Sequence, residues 1–127
     1  MNNISEQLLT TIINLEYLLE GQSGEKFDIK HKLLHLISKK EKATPNYLIE
    51  ILHMARSNLA ICCNGLVKQG LIEKNKEPEN KKEIFYTITE KGKEELNNKL
   101  NKTEESFNKI RNKNKIVKLA SELSKLI

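Results

Sequence analysis

Apolar residues recur at helical spacing from the start of the chain. Ile4, Leu8, Ile12, Leu15 and Leu19 follow one another at steps of 4, 4, 3 and 4, the period of one face of an α-helix. Leu9, Ile13 and Leu18 widen that stripe. A helix over 4–20 is therefore expected to be buried twice, against its own domain and against a partner. Gly21-Gln22-Ser23-Gly24 reads as a break. A second helix is expected over 26–40, with Phe27, Ile29, Leu33, Leu34, Leu36 and Ile37 as its apolar set. Thr44-Pro45 is a start signal, because the hydroxyl caps free N–H groups and proline lacks an N–H that would be orphaned anyway. The helix it opens runs to about His53, with Leu48, Ile49, Ile51 and Leu52 inward. After a turn at Met54-Ala55, residues 56–69 form another helix with Leu59, Cys62, Cys63 and Leu66 inward, and Gly70 stops it.

The period then shortens. Leu71-Ile72-Glu73-Lys74 and Ile84-Phe85-Tyr86-Thr87-Ile88 read as strands, joined by the polar loop 75–82 into a hairpin with a long tip. Thr89 caps a long final helix. Leu96, Leu100, Thr103, Phe107, Ile110, Asn114 and Val117 alternate steps of 4 and 3, a heptad seam. Ile116 to Ile127 adds Leu119, Ala120, Leu123 and Leu126 on one face, as a separate helix at the end. The expected fold class is mainly α with a small β-hairpin (α+β). It is a winged helix-turn-helix lobe, 26–92, flanked by an N-terminal dimerisation helix, 1–25, and C-terminal dimerisation helices, 93–127.

Composition supports an oligomer that shares its core. Of 127 residues, 38% are hydrophobic and 31% charged, against ordinary values of about 45–50% and about 25%. No run of 18 apolar residues exists, so no transmembrane span and no membrane partner are expected. The N-terminus lacks the form of a secretory leader, and two adjacent cysteines cannot staple a fold, so a cytoplasmic location is expected. Charge is unevenly placed: residues 1–54 carry 6 basic and 7 acidic side chains, residues 55–127 carry 16 and 10. A basic second half points to a polyanion, nucleic acid first among them.

Helix, short turn, helix and hairpin is the order of a winged helix-turn-helix, whose second helix fits the major groove. The stretch from Ala55 to Lys74 resembles the recognition helix and "L-x-x-x-G-L-I" exit of the MarR family of bacterial transcriptional regulators. Glu77-Pro78-Glu79-Asn80-Lys81-Lys82 is similar to that family's wing pattern D-P-x-D-x-R, and Ile88-Thr89-Glu90-Lys91-Gly92 to its "L-T-x-x-G". The resemblance covers roughly 26–100. It implies a homodimer knitted by N- and C-terminal helices, a pseudo-palindromic double-stranded DNA operator and, in many members, a small-molecule effector. Here Asn80 and Lys82 cannot form the charged wing pair of the family, and lysine offers a point charge where arginine offers a planar fork. Ala55 stands where the family often has a serine cap.

By helical phase, the outward face of 56–69 carries Ser57, Asn58, Ala60, Ile61, Asn64 and Lys68. Arg56, Ser57 and Lys68 are the expected phosphate contacts, with Lys76, Lys81 and Lys82 on the wing. Asn58 and Asn64 suit adenine edges, and Ala60 and Ile61 suit thymine methyls. The expected dimer interface draws on Ile4, Leu8, Ile12, Leu15 and Leu19 with Phe107, Ile110, Leu119, Leu123 and Leu126. Cys62 and Cys63 fall on core positions and are read as packing. His31 and His35, at i and i+4, lack neighbours to complete a metal set. No catalytic constellation or phosphate loop is present, so neither an enzyme nor a cofactor is expected. Two function classes follow: a dimeric DNA-binding regulator, acting as a repressor that an effector can release, or a winged-helix protein–protein module with a coiled-coil-like dimer seam.

Overall fold

A computed structural model describes residues 3–22, 27–110 and 113–126. Ser23, Gly24, the boundary at 25/26 and Ile127 lie outside them. The element order is α1 (Asn3–Glu16), a π-helical turn (Tyr17–Gln22), α2 (Ile29–Ser38), α3 (Pro45–Leu52), α4 (Arg56–Lys68), β1 (Ile72–Lys76), β2 (Ile84–Ile88), α5 (Glu90–Phe107) and α6 (Lys113–Ser124). The chain divides into two compact units, one of 1–26 with 100–127 and one of 27–99. The division falls inside α5, seven residues beyond the 92/93 boundary expected from the sequence. No helix among the described residues is long and apolar enough to cross a membrane.

In the 27–99 unit the core is one cluster. Leu33, Leu34 and Ile37 of α2, Leu48 of α3, and Leu59, Cys63 and Leu66 of α4 meet Leu71, Ile72, Tyr86 and Leu96. Each fully buried leucine or isoleucine contributes about 1.5–3 kcal/mol by leaving water. α2 is shorter than its apolar pattern, because Asp28 takes an extended backbone and accepts the His31 N–H at 3.1 Å, which fixes the first turn. Ile51 lies on an outer face and is partly exposed, not inward as the periodicity suggested, and Ile29 of the α2 apolar set is partly exposed too. The segment after α2 was not legible as a strand. A single residue, Ala43, pairs with Tyr86 through Tyr86 N–H to Ala43 O (2.8 Å) and Ala43 N–H to Tyr86 O (3.3 Å).

Thr44 Oγ1 accepts the Tyr47 N–H at 3.2 Å and Pro45 opens α3. His53, in the left-handed region at φ 52°, turns the chain toward α4. α4 ends on Gly70, φ 76°, where the Gly70 N–H reaches Val67 O (3.0 Å) and the Leu71 N–H reaches Leu66 O (3.0 Å). That pair satisfies the last carbonyls and returns Leu71 to the core beside Leu66. β1 and β2 pair antiparallel with Ile72 opposite Ile88 and Lys76 opposite Ile84, so β1 runs two residues further than its apolar pattern. Thr89 then joins three elements. Its hydroxyl donates to Gly70 O (2.6 Å) and accepts the Gly92 N–H (3.0 Å), while its own N–H donates to Leu71 O (3.1 Å).

In the other unit, α1 leaves Ile4, Leu8, Leu9, Ile12 and Ile13 exposed, the π-helical turn leaves Tyr17 exposed, and α6 buries none of its residues. α5 stops at Phe107, with tight turns from Lys109 N–H to Ser106 O and from Ile110 N–H to Phe107 O. The heptad seam read from Leu96 to Val117, already broken by Thr103 and Asn114 in the sequence, is carried by two helices and not by one. Asn108 stands just past the end of α5, and asparagine competes for backbone groups better outside a helix than within one. Within that run Leu96, Thr103 and Ile110 are buried while Leu100 is exposed.

Candidate nucleic-acid interface

The site is built from the starts of α3 and α4 and one face of the hairpin. Asn46 and Arg56 join the two helix starts, the guanidinium Nη2 donating to Asn46 Oδ1 at 2.6 Å. Ala55 occupies the cap of α4 and no side chain caps it, Ser57 included. Leu59, Cys63 and Leu66 anchor the helix from below. That phase turns Ser57, Asn58, Ala60, Ile61, Asn64 and Lys68 to solvent, and all six are exposed. Cys62 departs from its expected place: it is half-buried at the edge of the core, whereas Cys63 is fully buried.

The hairpin sorts its charges by the two-residue period of a strand. Lys74 opposite Tyr86 and Lys76 opposite Ile84 share one face, with Glu73 and Asn75 on the other. Lys74, Ile84 and Tyr86 line an open cleft of about 480 Å³ with Thr44, Asn46, Arg56, Ala60, Asn64 and Lys82. The Lys-bearing face thus turns toward α4. At the tip, Asn80 Oδ1 accepts the Lys82 N–H at 3.2 Å, and the Glu83 N–H donates to Asn80 O at 2.9 Å. Asn80 shapes the loop through its amide and needs no ionic partner. Lys42 braces the base of the wing, with its Nζ 3.0 Å from Glu77 Oε1 and 5.2 Å from the centre of the Phe85 ring.

Of the residues singled out from the sequence, Arg56, Ala60, Asn64 and Lys82 come together around the cleft. Ser57, Asn58 and Ile61 lie outside it on the exposed face of α4, Lys68 on its last turn, and Lys76 and Lys81 on the hairpin. Thr44, Asn46, Lys74 and Tyr86 were missed. Strand alternation from Ile72 would have placed Lys74 on the α4 side, but Asn46 carries no signal beyond its place after a helix-opening proline.

Beneath the cleft, burial pushes the Cys63 thiol up to about 11, an effect that the Tyr86 hydroxyl partly offsets by donating toward its sulfur. Burial likewise raises Tyr86, to about 12, and the Cys63 charge adds to the shift. His31 Nδ1 lies 2.6 Å from Asp28 Oδ1 in the α2 cap. No group of three or more His, Cys, Asp or Glu that could hold a metal occurs among the described residues.

A family model described as a winged helix DNA-binding domain matches residues 29–107. The chain belongs to that family. The match takes in the whole 27–99 unit except its first two residues. An uncharacterized HTH-type transcriptional regulator, YvnA of Bacillus subtilis (strain 168), is 34% identical over 62 residues, which are 46% of this chain and 40% of that protein. This chain therefore covers less than half the length of that relative. Among solved structures, the transcriptional regulator PA4135 superposes with a TM-score of 0.73 at 15% identity, over 99% of this chain and 96% of that one. Wild-type MarR of E. coli in its apo form gives 0.69 at 16% identity, over 100% and 98%. At these identities the likeness is one of fold, and the fold is that of MarR.

Proposed function

We propose that this chain is a transcriptional regulator that binds double-stranded DNA as a homodimer on a pseudo-palindromic operator and represses from it. The observation that carries the reading is the exposed polar face of α4, residues 57–68, set beside the Lys-bearing face of a hairpin in a winged helix DNA-binding domain. A helix of this length fits the major groove, and hairpin lysines on the same side would meet phosphates. A MarR mutant from E. coli, whose fold this chain shares with a TM-score of 0.62, has been solved with operator DNA. A related fold is that of the adhesin competence repressor of Streptococcus pyogenes. Two-fold pairing of lobes asks for two half-sites, hence the operator symmetry. The cleft between α4 and the hairpin is where a small effector would compete with DNA for Arg56, Asn64 and Lys82.

A gel shift against DNA upstream of the gene, repeated from low to moderate salt, tests the reading. Counterion release predicts a steep, linear fall of log affinity with log salt. DNA binding that is absent, or insensitive to salt, sinks it. The exposed apolar faces of α1 and α6 favour a second reading, a protein–protein module, if the DNA experiment fails.

A further inference from the structure

Ile61 is 71% exposed, nearly twice as much as Ile29 (37%) or Ile51 (38%), the other exposed large apolar residues of the 27–99 unit. The remaining ones lie on α1, the π-helical turn, α5, α6 and the residues just after α6. A β-branched residue facing water gains nothing from burial and is a poorer helix former than the alternatives. Its neighbours on the same face are small. Ala60 and Ser57 are short, and at Gly65, one turn further on, a Cβ would meet nothing within 4 Å. Ile61 therefore stands out from a smooth helix face. Asn58 and Asn64 flank it, and no hydrogen bond among the described residues engages either amide. Arg56 is differently placed: its guanidinium is already held by Asn46. The one basic side chain left on α4, Lys68, is its last residue, away from the first turns that meet base edges.

Each base pair shows the major groove a different pattern. Guanine is read chiefly by Arg or Lys, adenine by Asn or Gln, and the thymine C5-methyl by apolar side chains. The reading face of α4 holds two asparagines and an isoleucine, with no free arginine. We propose that α4 reads A·T base pairs, with Ile61 packed on a thymine methyl in each half-site. This rests on the DNA-binding reading above and adds to it the chemical class of the operator.

The experiment uses the full chain. Bound sites are first selected from a random double-stranded library, and thymines in the selected half-sites are then replaced one at a time by deoxyuridine. That change removes only the methyl, which projects into the major groove and is absent from the minor groove that a wing could enter. One half-site thymine is expected to be sensitive, with affinity falling about fourfold per methyl lost. Ile61→Ala should lose the same factor on thymine DNA and show no further loss on uracil DNA, with a melting temperature no lower than that of the unmodified chain. Half-sites rich in G·C overturn the proposal. So does an A·T preference that uracil leaves unmoved, which would place the preference in the wing or in DNA shape. So too does uracil sensitivity that persists in Ile61→Ala. Failure to select any DNA removes the parent reading as well, whereas each of the other outcomes leaves DNA binding standing.

Discussion

Two glycines separate what the fold requires from what it tolerates. At Gly92 an added Cβ would collide with the Leu71 carbonyl oxygen and lie 2.8 Å from Ile88 Cγ1. The turn out of α4 therefore rests directly on the first turn of α5. At Gly65 nothing stands within 4 Å. Gly92→Ala should destabilise by about 1–3 kcal/mol or more through overpacking, and Gly65→Ala should stabilise by about 0.5–1 kcal/mol through helix propensity. Urea unfolding of the two variants checks both signs. The sequence showed that Gly65 sits mid-helix but could not show whether its space was occupied. The cysteines make the same point. Periodicity put both inward, but adjacent helix positions lie about 100° apart, so only Cys63 reaches the centre and Cys62 stays at the edge. Cys63 and Tyr86 are neutral when protonated, and their folded values are raised from 9.0 to about 11 and from 10.0 to about 12. The folded state thus keeps protons that the unfolded chain releases. Their contribution to stability is complete below about pH 9 and is lost as pH rises toward 11–12. Urea midpoints at pH 8 and pH 10.5 should show that loss, and Cys63→Ala should reduce it. At neutral pH Cys63 holds its proton, so mild peroxide should leave a gel shift unchanged.

At the scale of elements, the signals that proved readable were chemical stops and starts. Thr44-Pro45, Thr89 and Gly70 each act in the structure through the backbone group the sequence pointed to. Signals built on period alone fared less well. The 4,3 spacing from Leu96 to Val117 crosses a segment rich in asparagine and lysine, where α5 ends. A seam of apolar positions needs a helix to carry it, and local propensity decided otherwise. The Ala43 bridge had no period to find. In the wing, where the MarR resemblance implies an acid–base pair, an amide holds the loop from within and leaves the Lys81 and Lys82 side chains unencumbered by it. Replacing both lysines by Ala should weaken binding to all DNA sequences alike and flatten the salt dependence by about one unit per lost phosphate contact. If the change alters sequence preference and spares the salt slope, the wing reads bases and the roles assigned to wing and helix must be exchanged.

For the whole molecule, the two units differ in how well each closes on itself. The 27–99 unit gathers its buried apolar residues in one cluster, and the site's positioning follows from that cluster. The other unit does not close. Ile4 is 67% exposed, Leu8 59%, Ile12 53% and Val117 54%, with Leu119, Leu123 and Leu126 also open. Leu15, Leu19 and Phe107 are half-buried and Ile110 is buried within the chain, so they have less surface to offer a partner. Apolar positions this numerous on two helices exceed the scattered exposure usual for a monomer. We propose that a second copy covers these faces, with two-fold closure ending assembly at a dimer. Leu8→Glu combined with Ile12→Glu places two charges on the face without touching the 27–99 core. Light scattering should give a dimeric mass for the unmodified chain at micromolar concentration and a monomeric mass for the variant. The helical circular dichroism of the lobe should survive. DNA affinity should fall, because each lobe would then hold one half-site without the second. A monomeric mass for the unmodified chain would end the dimer reading and leave these apolar faces to a different protein.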